Sequence, residues 1–127
     1  MTIRVHDLMP MFTARAADGT VVRYQDVWQR KNLLLVSLPS DDPTSSAYAA
    51  SLGVLEPSLA AYEAVLLIVP TRIEGVPSPG VVVADRWGEV YHLQQADQAS
   101  ALPRPEELID WLHFVRNECP ECQGETR

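Results

Sequence analysis

A chain of 127 residues fits one packed domain and leaves little room for a second. Its formal charge of −7 opposes phosphate backbones and anionic lipid, which argues against nucleic acid and membrane surfaces as partners. With 46% hydrophobic and 21% charged residues, no apolar run near the ~20 residues that span a bilayer, and no signal-peptide core in residues 1–7, a cytoplasmic location is expected.

Residues 12–16 and 21–24 flank Ala17-Asp18-Gly19-Thr20, and Asp-Gly supplies the positive φ of a tight turn, so a small hairpin is predicted. Residues 26–31 read as a turn or one helical turn. Residues 32–38 hold Leu33-Leu34-Leu35-Val36, a run that suits a central strand buried on both faces. Residues 39–46 form a polar, Pro-punctuated loop into a helix over about 44–52, with Asp or Ser available as N-cap. Gly53 is expected to break that helix, and Glu56-Pro57-Ser58 to start a second piece carrying Leu59 and Tyr62. Residues 65–69 are a second buried strand, ended by Pro70. Residues 71–79 connect to a third strand at 80–84, and Asp85-Arg86-Trp87-Gly88 turns the chain into an antiparallel strand at 89–93. Residues 94–102 are expected to be polar and flexible. Pro103-Arg104-Pro105-Glu106-Glu107 starts a helix, since proline suits the first turn and carboxylates suit the positive dipole end. Leu108, Leu112 and Val115 recur at helical spacing and face the sheet.

Four stretches carry a family resemblance. They are Pro10-Met11-Phe12-Thr13 with Asp18-Gly19, then Tyr24-Gln25-Asp26 leading into Asn32-Leu33-Leu34-Leu35-Val36. The others are Pro79 through Val90 with its Asp85-Arg86-Trp87-Gly88 turn, and Pro105-Glu106-Glu107-Leu108 with Trp111-Leu112. In order and spacing the chain resembles the thioredoxin-like superfamily, in its redoxin branch of peroxiredoxin-like and thiol oxidoreductase-like domains. The resemblance implies an α/β thioredoxin-like fold, with a central mixed β-sheet flanked by helices and an N-terminal β-hairpin. The domain would cover 1–118, with 119–127 a C-terminal tail. It also places Pro79 where the family keeps a cis-proline beside the active site, shaping a groove for an extended peptide or thiol partner.

The chain departs from that family at the nucleophile. The family's cysteine lies after the first central strand, where the helix dipole lowers its pKa. Here residues 39–46 contain no cysteine, and Pro43 and Ser46 fall near the places of a C-x-x-C pair. A serine hydroxyl forms no disulfide, no neighbouring histidine can activate it, and Asp41 and Asp42 oppose an anion. Peroxide reduction and dithiol exchange from this loop are excluded on chemical grounds. What would remain is a binding groove formed by residues 39–46, Pro43 and Ser46 among them, with Ser78 and Pro79.

The remaining reactive motif is Cys119-Pro120-Glu121-Cys122, and three readings stay open. As catalytic thiols, Cys119 and Cys122 can form a reversible disulfide with a protein or small-thiol partner. Against this, the negative end of the preceding helix and Glu118 and Glu121 raise thiol pKa, leaving a slow nucleophile. As metal ligands, Cys119 and Cys122 supply half a zinc site, so a homodimer would complete it, with His113 as a further donor. Otherwise the tail is inert and the protein uses no cofactor. His6, His92 and His113 are scattered and read as surface or partly buried residues, Asp41-Asp42 as capping, and Trp28, Trp87 and Trp111 as core or rim.

Overall fold

In the computed structural model, which describes residues 3–16, 18–70 and 72–117, the apolar runs become strands of a mixed sheet. A hairpin opens the chain: β1 (Thr13–Arg15) and β2 (Val21–Arg23) pair antiparallel, with Ala14 opposite Val22. Gly19 sits in its turn at φ +92, a conformation open to glycine, while the Thr20 amide donates to the Asp18 carboxylate at 2.9 Å. Then come β3 (Asn32–Ser37), α1 (Ser45–Ser51), a 3-10 turn (Leu52–Leu55), α2 (Glu56–Leu59) and β4 (Ala64–Val69). β5 (Gly80–Ala84), β6 (Val90–Gln95) and α3 (Pro105–Asn117) complete the order.

The main sheet runs β4-β3-β5-β6. β3 is parallel to β4 and antiparallel to β5, and β6 returns antiparallel to β5. Every residue of β3 is buried, as a strand with neighbours on both sides and layers on both faces requires. Side chains alternate between the two faces. Leu34, Val36, Val81 and Val83 meet Leu52, Leu55 and Leu59 together with Leu108, Leu112 and Val115 of α3, so the helices share one face. The opposite face, with Leu33, Leu35, Val82 and Ala84, is covered by Met9, Ala14, Tyr24, Ile73 and Val76 from the hairpin and connecting segments. Phe12 stacks on Tyr24 with ring centroids 5.3 Å apart. Among the described residues, no helix is long and apolar enough to cross a membrane.

One local expectation holds and one changes. α1 ends at Ser51, Gly53 lies in the 3-10 turn that interrupts the helix, and α2 starts at Glu56, with Leu52, Leu55 and Glu56 all in the right-handed helical region. The turn is held in place by the full burial of Leu52 and Leu55, at roughly 1.5–3 kcal/mol each. Residues 94–102 are ordered, since β6 extends to Gln95 and Ala99–Ala101 form a second 3-10 turn with Ala99 fully buried.

Candidate functional site

The ends of β3, β4 and β5 meet at one end of the sheet, where Ser37 pairs with Val69 on one side and Gly80 on the other. Two segments converge there: the loop 39–46 after β3 and the connector 70–79 before β5. The Ser78–Pro79 peptide is cis, in line with the resemblance. The Pro79 carbonyl accepts the Ala96 N–H at 3.2 Å. Gly80 follows because a Cβ there would run into the Pro77 carbonyl. Neither the N–H nor the carbonyl of Ser78 has a backbone partner among the described residues.

Asp42 fixes the facing loop. Its Oδ1 accepts the Thr44 N–H at 2.8 Å and the Thr44 hydroxyl at 2.7 Å, and its Oδ2 accepts the Ala99 N–H at 2.9 Å. The Thr44 hydroxyl oxygen accepts the Ser100 N–H at 3.2 Å. Ser45, buried, donates through Oγ to the Pro39 carbonyl at 2.9 Å, and the Tyr48 hydroxyl donates to the Pro103 carbonyl at 2.6 Å. The Thr44 hydroxyl, its amide and the Ala99 amide hold the Asp42 carboxyl below its ordinary pKa. Asp42 thus caps the turn ahead of α1 and ties it to the Ala99–Ala101 turn, while Thr44, at the N-cap itself, makes no side-chain cap bond.

Between these segments lies a depression of about 420 Å³ lined by Asp41, Pro43, Arg72, Ser78, Pro79 and Asp97 among others. It shares Arg72 and Ser78 with a second depression of about 310 Å³ along the connector. That one shares Ile73, Glu74 and Gly75 with a third, also about 310 Å³, which ends on Pro10, Met11 and Phe12. The three form one trough across this end of the molecule. Pro43, Ser78 and Pro79 come together in it. Ser46 lies on the other side of the loop, in an apolar hollow of about 160 Å³ with Leu38, Ala49, Ile68 and Pro70. Arg72 and Asp97 complete the trough and carried no motif, because they come from a connector and a strand end.

The titratable side chains of the trough are Asp41, Asp42, Arg72, Glu74 and Asp97. The histidines are elsewhere. His92 stacks on Trp111 at 4.5 Å, and burial keeps its pKa below the ordinary value. His113 meets Tyr62 edge-on at 5.9 Å, and His6 pairs with Glu89 at 2.9 Å. Trp28 and Trp87 are rim residues, with Trp28 Nε1 donating to the Trp87 carbonyl at 3.1 Å, and Trp111 is half-buried on α3. Cys119 and Cys122 lie outside the described residues. Among the described residues, no group of three or more His, Cys, Asp or Glu side chains is arranged to hold a metal.

No family model and no curated protein matches the sequence. Solved structures match its fold. A yeast mitochondrial 1-Cys peroxiredoxin aligns with TM-score 0.73 at 12% identity, covering 97% of this chain and 80% of that one. A thiol peroxidase from Chromobacterium violaceum gives 0.68 at 12% identity, with 94% and 91% covered. A thiol:disulfide interchange protein of the thioredoxin family from Chlorobium tepidum gives 0.64 at 9% identity, with 91% and 99% covered. The chain therefore has a thioredoxin-like fold. Its N-terminal hairpin and four-stranded mixed sheet lie within the region these structures cover.

Proposed function

We propose that the protein is a thioredoxin-fold binding module that holds an extended polypeptide in the trough beside Ser78 and Pro79 and does no thiol chemistry there. One observation carries the reading. The loop 39–46 lies against the cis Ser78–Pro79 peptide, without a thiol, while neither backbone group of Ser78 has a backbone partner among the described residues. An unpaired N–H and carbonyl on a concave surface offer a main-chain partner the bonds of an added strand. Three connected depressions suit an extended chain better than a small thiol. The loop has no nucleophile to attack a disulfide or peroxide, and Asp41 and Asp42 would raise the pKa of any anion formed there.

The test is a selection of random linear peptides on the immobilised chain carrying Cys119→Ser and Cys122→Ser. Bound peptides are then mapped by amide shifts in a nuclear magnetic resonance titration. The expected result is a set of shifts centred on Ser78, Asp41, Asp97 and Gly75. Peptides whose shifts fall on α3 instead would overturn the assignment.

A second reading rests on sequence alone. Cys119 and Cys122, the two thiols of the chain, are spaced for a reversible disulfide with a protein or small-thiol partner. Glu118 and Glu121 beside them in sequence disfavour thiolate, so the pair would act as an oxidisable clip rather than a fast nucleophile. Thiol counting before and after mild reductant tests it, and about half a zinc per chain in a dimer would favour the metal-bridged form.

A further inference from the structure

We propose that the outer edge of β4 is an interface on which a second copy of this chain adds its own β4, antiparallel, about a two-fold axis through Leu66. β4 is an edge of the main sheet, paired on its inner side with β3 alone. The Asn32 amide donates to the Glu63 carbonyl at 2.8 Å, and the Leu38 amide to the Val69 carbonyl at 3.0 Å. Alternate residues of a parallel ladder face their neighbour. Residues 63, 65, 67 and 69 therefore turn their backbone inward, and Ala64, Leu66 and Ile68 turn N–H and carbonyl outward. None of these outward groups has a backbone partner among the described residues.

The opposite edge is covered at its start. Val90 of β6 accepts the His6 N–H at 2.7 Å and donates to the Asp7 carbonyl at 2.9 Å, Leu8 bridges Glu89, and the β5–β6 register shifts at Val83/Ala84. Free edges are ordinarily blunted by a charge, a proline or a bulge. Ala64-Val65-Leu66-Leu67-Ile68-Val69 has none of these, and its register with β3 is unbroken.

The strand's own sequence fits the second copy. With Leu66 on the axis, Leu66 meets the partner subunit's Leu66, and Ala64 meets the partner subunit's Ile68, a small residue against a branched one. Each outward residue then forms a hydrogen-bonded pair, so every free group on this edge is satisfied. Charge does not oppose the pairing. The strand carries none, and Glu63 just before it is held by Arg86 and by Arg116 at 3.5 Å, so the net charge of −7 is not focused on this edge. On the helix side, Ala64, Leu66 and Ile68 pack on the main core, and Ile68 borders the apolar hollow beside Ala49 and Pro70. The partner strand would extend that apolar surface and bury it.

Light scattering and sedimentation of the full chain, from low micromolar to several hundred micromolar, test the interface. The expected mass is twice 14.1 kDa at the upper end. The dimer should persist in the Cys119→Ser/Cys122→Ser protein with chelator present, which separates it from a disulfide or zinc bridge. Leu66→Pro removes an N–H unbonded in the single chain, and Leu66→Lys sets two ammonium groups on the axis. Each should weaken dimerisation at least about tenfold with an unchanged circular dichroism spectrum. Should either variant misfold, hydrogen exchange on the wild-type chain decides: the Leu66 and Ile68 amides must slow as concentration rises while those of Leu93 and Gln95 do not. A single-chain mass at every concentration, an unweakened dimer in folded Leu66→Lys, or exchange at Leu66 and Ile68 that ignores concentration would each overturn the proposal.

Discussion

Replacing Asp42 with alanine removes the acceptor of the Thr44 and Ala99 amides at once. The expected outcome is faster hydrogen exchange at Ala99 and Thr44 and a lower melting temperature. Asp42 also sets an acid limit. Its folded pKa lies below the ordinary 3.8, so its contribution is present above that value and lost as pH falls through the folded pKa. An acid titration of the alanine variant should lack that part of the transition. Tyr48 sets an alkaline limit: burial, and then Glu107, push its pKa from 10.0 up to about 12. A raised phenol pKa stabilises the fold fully below 10.0 and stops doing so as pH climbs towards about 12. Tyr48→Phe should cost about 1–2 kcal/mol at neutral pH, since the Pro103 carbonyl loses its donor, and should flatten the alkaline slope in denaturant melts. Gly80→Ala should cost about 1–3 kcal/mol, because the Pro77 carbonyl must move to admit a Cβ, and it should distort the trough wall at Ser78. Pro79 could be placed from its motif. The reach of Asp42 to Ala99 could not, since the partners are 57 residues apart and neither has an unusual local neighbourhood.

At the level of elements, the strands were the most legible feature. A run such as Leu33 to Val36 has few alternatives to a doubly buried strand, and the structure buries all four side chains completely. α3 was legible for a different reason, the helical spacing of Leu108, Leu112 and Val115, which are all buried. Leu112→Ala should therefore cost about 2–5 kcal/mol, read as a shift of the urea midpoint at unchanged slope. The segment 94–102 was misread as flexible because its order comes from distant partners. Pro79 holds Ala96 and Asp42 holds Ala99, and no local pattern announces either contact. The interruption at Gly53 was legible because a breaker signal is local, whereas the burial of Leu52 and Leu55 in the turn comes from the core.

Across the whole molecule, the order and spacing of motifs were enough to identify the fold, and they named part of the lining of the candidate trough. Pro43, Ser78 and Pro79 do share one trough. Ser46, the second residue of α1, lines the apolar hollow instead, and Arg72 and Asp97 join the trough from segments with no motif of their own. Helices cover one face of the sheet and the hairpin with connecting segments the other, and the depressions of the trough lie at this end. The trough's side chains include four carboxylates, Asp41, Asp42, Glu74 and Asp97, and one guanidinium, Arg72, so on the proposed reading a bound polypeptide would carry basic residues. The direct test is calorimetric titration of a selected extended peptide into the wild-type chain and into the Cys119→Ser/Cys122→Ser chain. The account predicts affinities equal within about twofold and no catalytic turnover of peroxide or disulfide by either protein. Binding that vanishes with the thiols, or turnover that depends on them, would contradict it.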